Sequence, residues 1–346
     1  MKSLPMPILH KMKTLVESPQ MRMFLILMAA VFVLFALITP NHSYIRIANL
    51  NNMLTDSVIP AIFGFGMGII IAGGGFDLSL GHLASMVALI VAYLMSGGMR
   101  YDPVSAILIG LLAGAGVGAV SGLLVSRMGI SSFIVTLGMQ FLIIGVRQII
   151  THGQSVYISN RSFKWLATTQ FGISNLVIIL AIVGVLVYLL MEKNTFGRKI
   201  QFIGANIEAS RFMGIDIRNI TMSTFILGAV LAGIGGTLFA ARAGAVQVNS
   251  VDSKLLDAIT IAVFSSVIFG RFRTSGIVMV AILISMISTG MSMMEIKTEW
   301  IDFMKGLMLL ASLIISKYMN QNQSFSPSRI FKKRKGVQIN EHEETV

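Results

Sequence analysis

Ten apolar stretches, separated by short polar segments, run along the chain. They are 12 to 22 residues long. A helix needs roughly 20 mostly apolar residues to cross about 30 Å of hydrocarbon, so the shorter stretches need help from flanking Ser, Thr and Gly. None shows the period-two alternation of barrel strands, and only helices and closed barrels satisfy their backbone polar groups in a bilayer. The pattern therefore predicts an all-α polytopic membrane protein with about ten transmembrane helices. The stretches are Met23–Ile38, Ile59–Ala72, Leu83–Met95, Val104–Val125, Phe133–Ile150, Leu176–Met191, Ile220–Ala240, Ala258–Phe269, Ile277–Met291 and Ile301–Ile315.

Basic residues between the stretches set the orientation. If both termini are cytoplasmic, the inner segments hold 18 Lys and Arg and the outer segments hold eight. This is the positive-inside bias, so we expect both termini inside. The chain then divides into a cytoplasmic segment 1–20, a transmembrane domain 21–316 with a long inner segment at 192–219, and a cytoplasmic tail 317–346. The tail is basic and then acidic, a composition that predicts disorder.

Composition narrows the classes of function. The net charge is +12, and ten of the 27 Lys and Arg lie beside the first and last stretches, which favours contact with membrane lipid over nucleic acid. The chain has no cysteine, which excludes a disulfide framework, a thiol nucleophile and a Cys-ligated metal. No Walker A sequence occurs, so any energy from ATP must come through another subunit.

Small residues recur at four-residue spacing in two stretches. Such a spacing makes a smooth helix face on which another backbone can approach closely. Two interpretations are open: tight packing within one chain, or a subunit interface or moving seam. The two ladders also hint at an inverted repeat. The first ladder is Gly110, Gly114, Gly118 and Gly122, and the second is Gly228, Ala232, Gly236, Ala240 and Gly244.

A glycine-rich break, residues 73–81, interrupts the apolar pattern around Phe76, Asp77 and Ser79. Asp77 or Ser79 can cap the helix that follows. A carboxylate buried in a helical bundle is costly unless it is paired or capping, so contact with solute or a gate is the second interpretation of Asp77. Phe76, Asp77 and Ser79 are therefore the candidates for a pathway or gate. We interpret His82 as a packed polar residue, because no other ligand is spaced to complete a metal site with it.

Two further charges adjoin the later stretches. Asp257 opens its stretch and is interpreted as an N-terminal cap. Lys305 lies one turn past Asp302, so an i, i+3 ion pair is expected.

The inner segment carries a predicted short helix over Ala205–Phe212, with Gly204 before it and Gly214 after it. Such a helix suits docking on a cytoplasmic partner, while a helix lying on the membrane surface is the alternative. The residues that we expect to carry the contact are Gly204, Asn206, Glu208, Ala209, Arg211 and Gly214.

Here the sequence resembles the permeases of sugar-type, ribose-transport-like ABC importers. Thr195, Gly197-Arg198, Gly204, Asn206, Ala209 and Gly214-Ile215 are similar to that family's coupling loop. Further matches are Gly74–Gly81, Ser131–Gly138, Leu256–Ala262 and the Trp300–Gly306 region. One departure is clear: Ser265 and Ser266, or Phe269, replace glycines of the family pattern, and Arg271 and Arg273 enter the turn that follows.

The resemblance implies a multi-pass protein of the bacterial inner membrane that moves a monosaccharide or similar polar solute. It implies three protein partners: a cytoplasmic ABC ATPase, an extracytoplasmic solute-binding protein and a second permease copy, identical or different. ATP would then be used by the ATPase subunit, with no cofactor, metal or catalytic residue in this chain. An ion-gradient-driven secondary transporter is the alternative function, although few intramembrane carboxylates are available for an ion relay.

Overall fold

The structure is a computed structural model that describes residues 19–96, 101–158, 160–170 and 172–324. Its helices are α1 (Pro19–Ile38), α2 (Ile47–Ala72), α3 (Leu80–Met95), α4 (Pro103–Ser126), α5 (Ser132–Thr151), α6 (Arg161–Lys164), α7 (Asn175–Tyr188), α8 (Thr195–Ala205), α9 (Ile207–Phe212), α10 (Ile217–Ala243), α11 (Lys254–Phe269), α12 (Thr274–Met293) and α13 (Thr298–Ser324). Two short 3₁₀ helices (Pro40–Ile45 and Trp165–Ala167) and a π turn (Leu189–Lys193) join them.

Each predicted apolar stretch coincides with one long helix: α1, α2, α3, α4, α5, α7, α10, α11, α12 and α13. Seven helices in the described part of the chain are long and apolar enough to cross a membrane, and α3 is a shorter apolar helix. The prediction of an all-α polytopic membrane protein is therefore confirmed. Residues 1–18 and 325–346 lie outside the described residues. Residues 317–324, which the sequence assigned to a disordered tail, continue helix α13.

Several helices extend beyond the apolar stretches, because their end turns consist of polar residues that are still hydrogen-bonded. Helix α2 begins at Ile47, three turns before the predicted start at Ile59. In those turns the side-chain amide of Asn49 donates to the Tyr44 carbonyl at 2.9 Å, and that of Asn51 donates to the Gly172 carbonyl at 3.0 Å. A hydropathy pattern alone does not detect such polar end turns of a helix.

Helix α2 forms the centre of the bundle, and every residue from Ser57 to Ile70 is buried. It packs against α10, α11 and α12, while α10 also packs against α3 and α4. The crossing of α2 and α10 is close because it joins two glycines: a Cβ on Gly66 would lie 3.0 Å from the Gly228 carbonyl oxygen. Small residues thus permit backbone-to-backbone packing where lipid supplies no hydrophobic drive between helices.

Two short antiparallel ribbons cover one end of the bundle. Strand β1 (Val156–Tyr157) pairs with β4 (Ala245–Val246), and β2 (Thr169–Gln170) pairs with β3 (Ile173–Ser174). The ribbon of β1 and β4 joins the segment after α5 to the segment after α10. It leads directly into residues 247–253, which enter the bundle beside α3 and α5.

Candidate coupling and transport sites

The inner segment forms two helices where the sequence predicted one. The expected helix over Ala205–Phe212 is wrong at its start: α9 begins at Ile207, and residues 195–205 form the separate helix α8. Asn206 separates them and caps α9, because its side-chain oxygen accepts from the Ala209 backbone N–H at 2.9 Å. Gly214 follows in a left-handed conformation, φ +70°, which suits a chain reversal after the helix.

Helix α9 presents its side chains outward. Phe212 is 89% exposed, and Ile207, Ala209 and Met213 are also exposed. Glu208 and Arg211 form an exposed pair with 3.7 Å between Oε1 and Nη1, which contributes little to stability. Only Ser210 of α9 is buried. The helix therefore offers apolar and charged groups while depending on few contacts of its own.

Gly204 is a packing residue and not the helix boundary that the sequence suggested. It lies in α8 against the end of α2, where a Cβ would meet the Ala72 carbonyl and lie 3.2 Å from the Gly74 backbone nitrogen. Gly74 has φ +81°, a conformation that side chains rarely adopt. The inner segment is thus seated directly on the glycine-rich break.

The break continues from these glycines to Asp77, which is buried. Its Oδ1 accepts from the Ser79 backbone N–H at 2.7 Å and from the Ser79 hydroxyl at 2.6 Å. Asp77 therefore closes a local turn before α3, and the Ser79 side chain makes no cap bond of its own. The predicted direct cap is replaced by this turn.

Helix α5 holds the remaining backbone of the break. The Phe76 N–H donates to the Ser132 hydroxyl, and the Leu78 N–H donates to the Thr136 hydroxyl, both at 3.1 Å. Ser132 and Thr136 lie one turn apart on α5. A shift of α5 would therefore alter the bonds that shape the break.

The small-residue ladders lie within the chain. Gly110 and Gly114 of α4 face Val91 and Val87 of α3, and Gly118 and Gly122 face α10 near Ala229 and Met222. In the second ladder, Gly228 meets Ile70 of α2 and Gly236 meets the Ala84 carbonyl of α3. All six glycines are buried. Their packing is intramolecular in this structure, and their part in any movement stays a prediction.

A buried ionic cluster, which sequence reasoning missed, joins Arg147 of α5 to Asp252 of the segment after β4. Arg147 is 2% exposed, and its Nη1 donates to Asp252 Oδ1 and to the Val248 carbonyl, each at 2.6 Å. Its Nη2 donates to Asp252 Oδ2 at 3.0 Å. The pair is bidentate, the geometry that suits a guanidinium and a carboxylate best.

Two residues of α3 complete this cluster. His82 Nδ1 lies 2.9 Å from Asp252 Oδ2 and 3.1 Å from Arg147 Nη2, and the Ser85 hydroxyl donates to Asp252 Oδ1 at 2.6 Å. Burial raises the pKa of Asp252, but the bonds from His82, Arg147 and Ser85 outweigh it and hold that pKa well below its usual range. The cluster of His82, Ser85, Arg147 and Asp252 thus fastens residues 247–253 to α3 and α5.

Asp257 and Lys305 make other contacts than the sequence predicted. Helix α11 begins at Lys254, so Asp257 lies in its first turn and is not the cap. Lys305 Nζ lies 2.9 Å from Asp257 Oδ1 and 3.5 Å from the expected partner, Asp302 Oδ1. Lys254 Nζ approaches Asp257 Oδ2 at 3.1 Å. The main partner of Lys305 is therefore on another helix.

The departure from the family pattern is accommodated locally. Gly276 faces Ser265 and the Phe269 ring, and Arg273 stands over that ring with 6.0 Å from its guanidinium carbon to the centroid. Glu192 Oε1 accepts from the Thr274 N–H at 2.9 Å, which joins the π turn to α12. Arg271 is exposed, and nothing in the structure explains why it is there.

Comparison with known proteins decides the family. Residues 49–313 match the family described as the permease component of the branched-chain amino acid transport system. That range covers most of the chain and runs from α2 into α13. The chain belongs to this permease family.

Several known proteins that are similar to this chain carry sugar-related names. The D-allose transport system permease protein AlsC of Escherichia coli K12 is 27% identical over 85% of this chain and 91% of its own length. The ribose import permease protein RbsC of the same organism is 28% identical over 83% of this chain and 91% of its own length. The galactofuranose transporter permease protein YtfT, also of E. coli K12, is 30% identical over 76% of this chain and 78% of its own length. No solved structure matches the chain.

Proposed function

We propose that this chain is the membrane-spanning permease subunit of an ABC importer that moves a monosaccharide or a similar neutral polyol across the bacterial inner membrane. Membership of the permease family supports the transport role, and the names of its relatives support the solute class. Nothing in these comparisons favours the ion-gradient-driven alternative.

We further propose ten crossings with both termini cytoplasmic. The ten long helices and the 18-to-8 distribution of Lys and Arg support this topology. It places α8 and α9 inside, and it places the ribbons, residues 247–253 and the short connection between α12 and α13 outside.

The observation that carries the coupling part of the proposal is the exposed helix α9 seated on the break. A cytoplasmic ATPase would bind Ile207, Ala209 and Phe212 in a cleft, with Glu208 and Arg211 setting the orientation. Gly204 packs on Ala72 and Gly74, so a push on this segment reaches the break around Phe76, Asp77 and Ser79. Rocking of helices along the glycine ladders would then expose the pathway to either side in turn.

The remaining partners follow from the same assignment. An extracytoplasmic binding protein would deliver solute to the outer surface, and a second permease copy, identical or different, would complete the assembly. ATP would be bound and hydrolysed by the ATPase subunit, and this chain would bind no cofactor and perform no covalent step.

The energy source tests the proposal. We expect uptake of labelled D-ribose or D-allose, by proteoliposomes that hold the permease with its co-purifying ATPase and binding protein, to require enclosed ATP. Vanadate should abolish this uptake and an uncoupler should leave it unchanged. ATP-independent uptake that collapses with the uncoupler would support the secondary transporter instead.

A further inference from the structure

A cavity of about 670 Å³, lined by both polar and apolar side chains, lies between α2, α10, α11, α12 and α13. It is separate from the buried Arg147 cluster, and it takes Asp257, Asp302 and Lys305 from two of the stretches that resemble the permease family. Its volume falls within the range of about 300–1,000 Å³ that small-molecule sites occupy. Under the proposed topology, all five helices contribute their outer ends, so the cavity faces the side from which solute arrives.

Helix α12 gives the cavity a line of hydroxyl groups. Ser285, Ser288, Thr289 and Ser292 recur at helical spacing and all line it. Ser285 donates to the Met53 carbonyl at 2.7 Å. The other three make no side-chain hydrogen bond within the described part of the chain. Each of these hydroxyls can therefore donate to and accept from a molecule in the cavity.

The charged residues of the cavity neutralise one another. Three carboxylates and three cations line it, and they form two sets: Asp56 pairs with Arg242, while Asp257 and Asp302 share Lys254 and Lys305. Asp257 has a side chain only 3% exposed, so it is fixed between its two lysines. A charged ligand would therefore find no unpaired opposite charge among these six residues, whereas a neutral ligand needs none.

The cavity also has an apolar side formed by Phe239, Ile59 and Ile301, among others. Sugars and polyols combine a hydroxyl-bearing edge with C–H faces, and they bind where hydroxyl, carboxylate and ammonium groups oppose an apolar or aromatic wall. A lipid tail would bury the unpaired serine and threonine hydroxyls without a hydrogen bond, at a cost in free energy.

We propose that this cavity is a binding site, within a single permease chain, for a neutral polyhydroxylated solute on its extracytoplasmic side. The solute's hydroxyls bond to Ser288, Thr289 and Ser292, and the accessible charged groups of Arg242, Lys254 and Asp302 supply further donors and acceptors. This inference rests on the proposed function for its direction of transport, and it names a place where solute waits before the pathway opens inward.

The absence of cysteine makes a direct test available, because a single introduced thiol has no background. We expect Ser288→Cys and Ser292→Cys to react with a water-soluble, membrane-impermeant thiol reagent added from the extracytoplasmic side. D-Ribose or D-allose should protect them, and at about ten times its Kd a sugar slows the modification about tenfold. Glycerol phosphate, a charged probe of about the size of ribose, should not protect them.

Thr169→Cys is the matched control, because Thr169 is exposed on the β2–β3 ribbon, away from the cavity. It should react quickly with and without sugar. Failure of both cavity cysteines to react in a folded permease would mean that lipid or protein fills the cavity, and would overturn the proposal. Reaction without protection by any neutral aldose or polyol in a panel would overturn it as well.

The labelling is independent of transport, so the two proposals fail separately. Sugar protection together with ATP-independent uptake would keep the site and reject the ABC assignment. ATP-driven uptake without protection would keep the assignment and reject the site.

Discussion

The inner segment and the buried ionic cluster use charge in opposite ways. In α9, Glu208 and Arg211 are exposed and form a long contact that the fold does not need. In the cluster, Arg147 is withdrawn from water and is held by Asp252, His82 and the Val248 carbonyl. Exposed charges contribute little to stability, whereas a buried charge depends on its partner. Substitutions in the cluster should therefore damage the fold, and substitutions in α9 should damage only association.

Asp252→Asn should have the largest effect. It leaves the Arg147 guanidinium buried without a full counter-charge, and breaking such a pair costs about 3–5 kcal/mol. We expect a lower free energy of unfolding in detergent and a lower level of permease in the membrane. Thermal unfolding of the purified protein measures the first, and immunoblotting measures the second.

The pH dependence of stability sharpens this prediction. Because the pKa of Asp252 is lowered in the folded protein, its contribution is present above the ordinary aspartate pKa and is lost as pH falls through the lowered value. The Asp252→Asn variant lacks that contribution, so the stability gap between the two proteins should not narrow from neutral pH to mildly acidic pH. A gap that closes as pH falls only to about 6, well above the ordinary aspartate pKa, would contradict the assignment.

Gly118→Leu should have the second largest effect on stability. Gly118 sits against the Phe225 carbonyl, where an added Cβ would lie at 2.8 Å, so α4 and α10 must separate. Overpacking of this kind costs about 1–3 kcal/mol. Gly116→Leu is the control on the same helix, because nothing lies within 4 Å of a Cβ at Gly116. Equal stability of the two variants would remove the packing role of the ladder.

Asp77→Ala should have a smaller effect on the fold, of about 1 kcal/mol, because it removes a local turn and not a charge pair. Asp77→Asn keeps an acceptor for Ser79 and serves as the control. Membrane level and sugar uptake separate the two interpretations of Asp77. Loss of uptake at normal level in both variants would indicate contact with solute or a gate, and normal uptake in both would exclude such a role.

The sequence could predict what depends on local pattern. Apolar stretches located the helices, and four-residue spacing identified Gly110 to Gly122 as one face. It could not predict partners that are distant in the chain: Arg147 is 65 positions from His82 and 105 from Asp252. The one signal was Arg147 itself, a charge inside the stretch Phe133–Ile150, since such a charge requires a partner. Lys305 is likewise a charge inside an apolar stretch and requires a partner. The sequence suggested the nearby Asp302 for this role, whereas the closer contact in the structure is with Asp257.

The most direct test of the account is Ala209→Glu, which places a charge on the exposed face of α9. Stability should change by less than about 0.5 kcal/mol, as for most surface substitutions, and Thr169→Glu on the β2–β3 ribbon should match it. The measurement is co-purification of the ATPase together with solute-dependent ATP hydrolysis in the reconstituted complex. We predict that the Ala209→Glu variant folds normally but loses ATPase association and solute-dependent ATP hydrolysis. The Thr169→Glu variant should retain both. Full ATPase association and full hydrolysis in Ala209→Glu would show that α9 is not the coupling element.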